Sequence, residues 1–391
     1  CKQAPSYVGR FVENINLKNK THPLIKERLK LSGVRAIDPL VDITNYVLLE
    51  LGQPLHVFDR DNLEGDLEVR FAKDLEELVL LDNKKIKLNQ KCLVISDEKS
   101  PVALAGIMGG LETGVTNKTR SIYLESAFFL PQVIRGKARL YGVQTDASLR
   151  FERGVDFNLQ KLAIDRASDL LKSSVGGKFG PIQEFINKSY LPKARDITLS
   201  VMRLNKVLGS RSSKKEIKTI LKRLFLRVLS TKNKDLMKVK IPSWRFDLEL
   251  EADLIEEVAR IIGYDNLPQK PLESLPRNNA DNLNESIRVS LSSLGYSEVL
   301  TYSFIEEEAA KLAEPGIIPI SINNPISKNL SVMRSSLWPG LLNTFLYNSN
   351  RGIEDFRIFE IGKVFKKQKR DSVVEQNMIA GLISGNRNFP I

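Results

Sequence analysis

The sequence is poor in the residues that carry most redox and metal chemistry. Its 391 residues include two cysteines, Cys1 and Cys92, which allow at most one disulfide and cannot alone form a four-ligand zinc site. They also include two histidines, His22 and His56, so a mechanism with an imidazole base must use one of these positions. A reducing compartment fits this composition.

Long apolar runs are also absent. The longest, residues 102–111, is too short and too rich in glycine to cross a bilayer, which takes about 20 residues. Residues 1–5 contain no apolar signal core and lack an initiator methionine. We therefore expect a cytoplasmic chain with no membrane contact, and a fragment of a longer protein.

What is present predicts an α+β multidomain fold. Of the residues, 42% are hydrophobic, and a chain of this length usually forms two to three domains. A polar stretch at 187–196 and a proline-containing linker at 268–282 predict domains at 1–188, 193–267 and 280–391.

Local patterns predict individual elements of these domains. The first domain is β-rich, with a hairpin turn at Asp82-Asn83 and a closing helix capped by Asp156. The second has helices over 214–224 and 253–262. The third has a helix over 283–294 and strands over 299–304 and 356–361.

The basic charge is concentrated in one segment. Residues 193–240 contain 15 Lys and Arg but only three acids, an excess equal to the formal net charge of +12 of the whole chain. This segment either binds a polyanion such as a nucleic acid or forms a solvated surface that keeps the protein soluble.

Several polar residues lie in settings that suit a binding pocket. His56 follows Gly52-Gln53-Pro54-Leu55, a tight turn that would hold its ring in place, although a lone histidine is more often structural. Glu125 lies in an apolar stretch, where its carboxylate needs a partner, either a ligand hydroxyl or a protein donor. The glycines of 106–110 permit close approach of a strand or ligand, and 145–150 form a pocket rim or an ordinary turn.

Acidic residues cluster after the basic segment. Asp253, Glu256 and Glu257 fall on one helical face, and Asp247 precedes them. Their repulsion could be relieved by a basic partner or by a hard cation such as Mg²⁺, and acids in a first helical turn are also favoured by the helix dipole.

Nine strings, in one order over residues 33–260, resemble the β subunit of bacterial phenylalanyl-tRNA synthetase. Motifs near Asn324-Pro325 and Met333-Arg334 extend the resemblance into the third domain. The strings begin with residues 33–39, 41–47, 52–56, 106–110 and 124–129, and continue with 145–148, 150–156, 242–247 and 256–260.

The resemblance implies that the first domain is an editing module, which hydrolyses tyrosine wrongly attached to tRNA(Phe). In the family, a buried glutamate reads the phenol, and it matches Glu125. The family's pocket histidine matches His56, its threonine Thr44, and its wall glycine Gly109. The rim residues match Thr145 and Ala147. We expect a water positioned by His56, Thr44 and the tRNA to cleave the ester.

The resemblance also implies roles for the other two domains. The second is helix-turn-helix-like and would bind one Mg²⁺, shared with the α subunit, through Asp247, Asp253, Glu256 and Glu257. The third is a truncated class II synthetase-like antiparallel sheet domain that packs against α. In the (αβ)₂ heterotetramer, ATP and phenylalanine bind to α.

Two departures from the family and one competing interpretation accompany this resemblance. The family's N-terminal tRNA-binding domain and C-terminal anticodon-binding domain are missing, so this chain alone is not expected to aminoacylate.

The competing interpretation is a non-catalytic scaffold that binds nucleic acid through residues 193–240. Only the editing interpretation requires Thr44, His56, Glu125 and Ala147 to come together in space.

Overall fold

Short helices and mainly antiparallel strands alternate along the chain. The computed structural model describes residues 2–193, 195–269, 283–353, 355–368 and 372–385. The chain separates into two units, Cys1–Lys270 and Pro271–Ile391. This agrees with the predicted mixed α+β class, whereas the three predicted domain boundaries stay predictions. Most of the predicted linker, 270–282, lies outside the described residues.

The first part of unit 1 contains ten strands and six α-helices among its described residues. In chain order they are β1 (Ser6–Glu13), α1 (Pro23–Leu31), α2 (Pro39–Leu51), β2 (Leu55–Asp59), β3 (Glu68–Phe71), β4 (Glu77–Val79), β5 (Lys85–Lys87), β6 (Leu93–Ser96), β7 (Pro101–Leu104), β8 (Met108–Gly109), β9 (Ile122–Phe128), α3 (Pro131–Ile134), α4 (Lys137–Tyr141), α5 (Asp146–Arg153), α6 (Gln160–Ser174) and β10 (Lys178–Ile186).

These elements stack in three layers. The central sheet has the order β10-β1-β9-β2, and the second sheet has the order β3-β6-β7-β8. One apolar core, which includes Phe58, Leu80 and Leu104, fills the space between the sheets. A second core, which includes Val8 and Leu124, lies between the central sheet and helices α1, α2 and α6. Strand β9, inside the central sheet, is therefore buried on both faces, whereas the edge strand β10 is largely exposed.

The rest of unit 1 is a smaller α+β part with its own core. It contains β11 (Asp196–Ser200), α7 (Val201–Leu208), α8 (Lys214–Arg223), β12 (Arg227–Ser230), β13 (Leu236–Lys240) and α9 (Glu251–Ile262). The sheet order is β11-β13-β12, and Leu204, Leu221 and Leu254 are fully buried beneath it. Helix α8 begins with a capping box in which Ser213 and Glu216 satisfy each other's backbone N–H groups.

Unit 2 is built on two small sheets. Its elements are α10 (Leu283–Ser293), β14 (Ser297–Glu298), β15 (Phe304–Ile305), α11 (Glu307–Ala313), β16 (Ile320–Ser321), β17 (Val332–Met333), α12 (Trp338–Ser349), β18 (Phe356–Lys367) and β19 (Val373–Ser384). The sheet orders are β14-β18-β19 and β15-β17-β16, and every strand pair except β14 with β18 is antiparallel.

Most element predictions hold, and two need correction. The hairpin turn at Asp82-Asn83 is confirmed, with Asn83 at a φ of 66°. Asp156 does not cap the closing helix, because its carboxylate accepts from the N–H of Asn158 in the preceding turn and α6 starts without a side-chain cap. The strand predicted over 299–304 is wrong apart from Phe304. The backbone before Phe304 makes isolated hydrogen bonds and no continuous ladder with a neighbouring strand.

Candidate functional site

The central sheet brings a histidine and a glutamate together. In the antiparallel pair β2 and β9, His56 lies directly opposite Glu125. Opposite residues in such a pair project from the same face of the sheet. Along β9, Tyr123, Glu125 and Ala127 point between the two sheets, while Leu124 packs towards the helices. Two polar side chains therefore enter a space that is otherwise an apolar core.

A small cavity of about 60 Å³ opens beside this pair. This volume is large enough to hold water. One wall comes from the central sheet, and the other comes from the turn between β7 and β8 and from helix α5. The lining residues are Pro54, Leu55, His56, Ile95, Ala103, Leu104, Gly106, Ile107, Met108, Gly109, Glu125, Phe129, Ala147 and Phe151.

The structure brings together four of the six predicted pocket residues, namely His56, Gly109, Glu125 and Ala147. Thr145 is just behind them. Its hydroxyl donates to the carbonyl of Ile107 at 2.7 Å and accepts from Ser148 N at 3.1 Å, so it ties α5 to the glycine turn.

Thr44 lies apart from this cavity. It is in α2, and its hydroxyl donates to the carbonyl of Val41 at 2.9 Å. Its place in the predicted set stays a prediction.

Gly109 leaves room for the imidazole ring. A Cβ atom at this position would lie 2.3 Å from His56 Cε1 and 2.6 Å from Nε2. The ring cannot easily retreat, because it is half-buried and packs perpendicular to Phe58, with ring centroids 4.4 Å apart. The absence of a side chain at Gly109 therefore sets the position of His56.

Replacing Gly109 with alanine is expected to lower the free energy of unfolding by about 1–3 kcal/mol, the usual cost of overpacking a filled core. Urea denaturation measures this change. Gly180→Ala is the matched control, since a Cβ there would lie 3.4 Å from its nearest neighbour. Equal stability of the two variants would show that His56 is not confined as described.

Burial makes both polar groups neutral near pH 7. It raises the pKa of Glu125 to about 8, against an opposing effect of the Tyr7 hydroxyl. It lowers the pKa of His56 to about 4. Among the described residues, neither Glu125 Oε2 nor His56 Nε2 has a hydrogen-bond partner of normal geometry. Two free hydrogen-bonding atoms thus face an apolar cavity, an arrangement suited to a ligand with a hydroxyl group.

Sequence reasoning missed the two tyrosines beside Glu125. Gly9 lies opposite Glu125 in β1, and a Cβ there would lie 1.9 Å from the hydroxyl oxygen of Tyr123, which shows that this ring crosses the space that Gly9 leaves. Burial and the nearby Glu125 raise the pKa of both Tyr7 and Tyr123. The alternation of Tyr7, Gly9 and Phe11 was the available signal, because these residues share one strand face.

Two of the four predicted magnesium ligands, Asp247 and Glu257, lie in internal ion pairs. Arg245 binds Asp247 at 2.7 Å and Glu257 at 3.0 Å, and Arg260 binds Glu257 at 2.6 Å. The bonds from Arg245 lower the pKa of Asp247. Burial alone would raise the pKa of Glu257, but the two arginines outweigh it and lower it. Arginine side chains therefore supply the positive charge that this cluster needs.

The remaining acids do not complete a metal site. Asp253 Oδ2 accepts hydrogen bonds from the backbone N–H groups of Glu249 and Leu250, both at 2.7 Å, so it serves the start of α9. Across the described ranges, no three His, Cys, Asp or Glu side chains are grouped to hold a metal ion. In this arrangement the predicted set Asp247, Asp253, Glu256 and Glu257 does not fit Mg²⁺, and it stays a prediction.

In the described part of the chain, no helix has both the length and the apolarity needed to cross a membrane.

Three family models match in succession. The B3/4 domain matches residues 3–176, the tRNA synthetase B5 domain matches 197–264, and the phenylalanyl tRNA synthetase beta chain CLM domain matches 265–390.

Proteins named phenylalanine–tRNA ligase beta subunit resemble this chain over nearly its whole length. Those from Nitrosococcus oceani and Colwellia psychrerythraea are each 44% identical, over 97% and 98% of this chain and 48% of their own length. The protein from Photorhabdus laumondii is also 44% identical, over 98% of this chain and 49% of its own. The chain thus spans about half the length of these curated relatives.

A crystal structure of an N-terminal fragment of the phenylalanyl-tRNA synthetase beta subunit from Pyrococcus horikoshii aligns with 67% of this chain and 72% of its own. It has 16% identity and a TM-score of 0.31, too little for a comparison of geometry. The relatives and the three successive domain matches give the same assignment, and the chain belongs to the phenylalanine–tRNA ligase beta-subunit family.

Proposed function

We propose that this chain supports the ATP-dependent attachment of phenylalanine to tRNA(Phe) by an α subunit, and that it removes tyrosine attached in error. The observation that carries the editing part is the unpartnered, buried Glu125 Oε2 opposite His56 in the cavity of unit 1. A cytoplasmic location goes with this proposal.

Editing answers a physical limit of amino-acid selection. A pocket shaped for a phenyl ring rejects an isostere with one added hydroxyl only weakly, whereas a site built to bind that hydroxyl discriminates strongly. The neutral carboxyl of Glu125 can both donate and accept a hydrogen bond, as binding a phenol requires. Phenylalanine would leave this buried group unsatisfied, which favours tyrosine as the ligand.

For ester cleavage, we propose that His56 orients the attacking water. Its pKa of about 4 keeps the imidazole neutral at pH 7, so a ring nitrogen is available to accept a proton. Thr44 could contribute only after giving up its bond to Val41. No step is assigned to magnesium, since Glu257 is held by arginines and Asp253 by backbone N–H groups.

Assembly with an α subunit is supported by unit 2. This unit exposes an unusual number of large apolar side chains, and such surfaces usually mark a protein interface. The most exposed are Ile326 at 90%, Leu300 at 84%, Leu312 at 82%, Ile318 at 78% and Tyr302 at 76%. We propose that they are covered in an (αβ)₂ heterotetramer.

Hydrolysis of Tyr-tRNA and Phe-tRNA by the assembled enzyme tests the proposal. We expect the wild type to hydrolyse Tyr-tRNA selectively, and Glu125→Ala to lose at least 100-fold of that selectivity. His56→Ala should slow hydrolysis of Tyr-tRNA. Glu76→Ala, which removes a carboxylate paired with Arg70 elsewhere in unit 1, is the control. No hydrolysis of either substrate by the wild type would leave the competing interpretation, a nucleic-acid-binding scaffold.

A further inference from the structure

A basic groove of about 250 Å³ lies between the two parts of unit 1. Five of its lining residues are cationic and one, Glu249, is acidic. Three phenylalanines and three prolines form much of the remaining wall. The cations are Arg135, Arg153, Lys193, Arg195 and Arg245, and the aromatic residues are Phe128, Phe157 and Phe246.

Three of these cations are free to bind a ligand. Arg195 pairs with Glu249 at 2.5 Å, and Arg245 is held by its two carboxylates. Within the described ranges, Arg135 makes only a 3.5 Å hydrogen bond to the carbonyl of Glu152, while Arg153 and Lys193 have no ion pair. The groove therefore carries positive charge that the protein does not neutralise, which suits an anionic ligand.

The groove also offers a flat apolar surface. Phe246 is 45% exposed, and its ring packs on Gly154, where a Cβ atom would lie 2.8 Å from Phe246 Cδ2. The ring is thus held beside Arg153 at the end of α5. Positive charge next to an exposed aromatic ring matches a single-stranded nucleic acid, whose phosphates bind cations and whose bases stack on aromatic rings. An acidic peptide would bind only the positive charges and would leave the exposed aromatic ring unused.

Two elements connect this groove to the cavity. In α5, Ala147 lines the cavity and Arg153 lines the groove, about 9 Å apart along the helix. In β9, Glu125 lines the cavity and Phe128 the groove, about 10 Å apart along the strand. A nucleotide chain in the groove would therefore end close to the cavity.

We propose that this groove binds the single-stranded 3′ end of the tRNA and leads its ester into the cavity. The inference rests on the proposed editing function. It assigns phosphate binding to Arg135, Arg153 and Lys193 and base stacking to Phe246.

Binding of uncharged tRNA(Phe) to the assembled enzyme at several salt concentrations tests the groove. Removing two phosphate contacts with Arg135→Ala/Arg153→Ala should weaken binding at least tenfold and reduce the slope of log affinity against log salt by about 1.4. Phe246→Leu, which keeps an apolar contact but loses the flat ring, should weaken binding at least fivefold. The equally charged control Lys26→Ala/Lys30→Ala, at exposed positions of α1 outside the basic segment, should bind as the wild type does.

A tRNA that lacks its single-stranded 3′ nucleotides sharpens the test. It should bind the wild type and the Arg135→Ala/Arg153→Ala variant equally. The proposed role of the groove would be overturned if the variant weakened binding of this shortened tRNA as much as that of intact tRNA. It would also be overturned if the groove variants bound intact tRNA as tightly as the wild type does. Competition by poly-glutamate as strong as that by RNA would also overturn it. The editing proposal is judged separately by Glu125→Ala, so either can fail alone.

Discussion

Replacing Glu125 with glutamine is expected to raise the free energy of unfolding at pH 8 by about 4 kcal/mol relative to the wild type, with little difference at pH 4.5. The fold raises the pKa of this carboxyl from 4.5 to about 8, so the folded protein holds a proton that the unfolded chain releases. The contribution of this bound proton to the free energy of unfolding is complete below pH 4.5. It is lost as the pH rises towards 8, at about 1.4 kcal/mol per pH unit. Glutamine resembles the protonated acid but does not titrate.

The pKa shift of His56 changes the free energy of unfolding with pH in the direction opposite to that of Glu125. The pH profiles of the wild type and of Glu125→Gln therefore differ in shape. Its pKa falls from 6.5 to about 4 on folding, so its contribution rises with pH between those values. In the wild type the two slopes cancel from pH 4.5 to 6.5, and stability then declines towards pH 8. In Glu125→Gln, stability rises to pH 6.5 and then levels off.

Urea denaturation of both proteins between pH 4.5 and 8 checks this prediction. Glu64→Gln, at an exposed ion pair with Lys99, is the control and should follow the wild type at every pH. A constant difference between Glu125→Gln and the wild type across the range would mean that Glu125 is ionised in the folded protein.

Replacing Arg334 with methionine is expected to destabilise unit 2 by about 3–5 kcal/mol, since it leaves the buried charge of Glu360 without its cationic partner, with only hydrogen bonds from Thr301. Arg334 Nη1 donates to Glu360 Oε1 at 2.6 Å and to Thr301 Oγ1 at 3.0 Å, and Nε donates to the carbonyl of Lys363 at 2.9 Å. The two side chains are only 5% and 2% exposed. One guanidinium thus joins β17 to β18 and to residue 301.

Chemical denaturation, compared with Lys363→Met, checks this prediction. Lys363 pairs with Glu375 at more than 50% exposure of both side chains, so its loss should cost less than about 1 kcal/mol. Adding Glu360→Gln to Arg334→Met should restore much of the stability, because the unpaired charge is then gone. Similar losses for the two single variants would show that solvent reaches the Arg334 pair.

The sequence predicts most strongly where local chemistry decides the structure. The capping box at Ser213 and Glu216 marks the start of α8, and the turn at Asp82-Asn83 marks a hairpin. Helix α2 is absent from the predicted elements, although Asp38 as its cap, Pro39 in its first turn and Gly52 at its end mark it in the sequence.

Other features depend on tertiary contacts that no local pattern contains. The pairing of His56 with Glu125 follows from the register of β2 with β9, which joins residues 69 positions apart. The binding of Asp247 and Glu257 by Arg245 depends on how the loop before α9 returns to that helix. A cluster of acids in the sequence shows neither which cation neutralises it nor whether that cation is internal.

The two walls of the cavity differ in stiffness. Glu125 belongs to β9, which is hydrogen-bonded on both sides, to β1 and to β2, and lies between two packed cores. The facing wall is a glycine turn joined to a short helix by the hydroxyl of Thr145. A ring larger than this cavity of about 60 Å³ would displace the turn more easily than the strand, whose backbone is hydrogen-bonded on both sides. The rigid strand then holds the hydroxyl-binding carboxyl still while the opposite side adjusts to the ring.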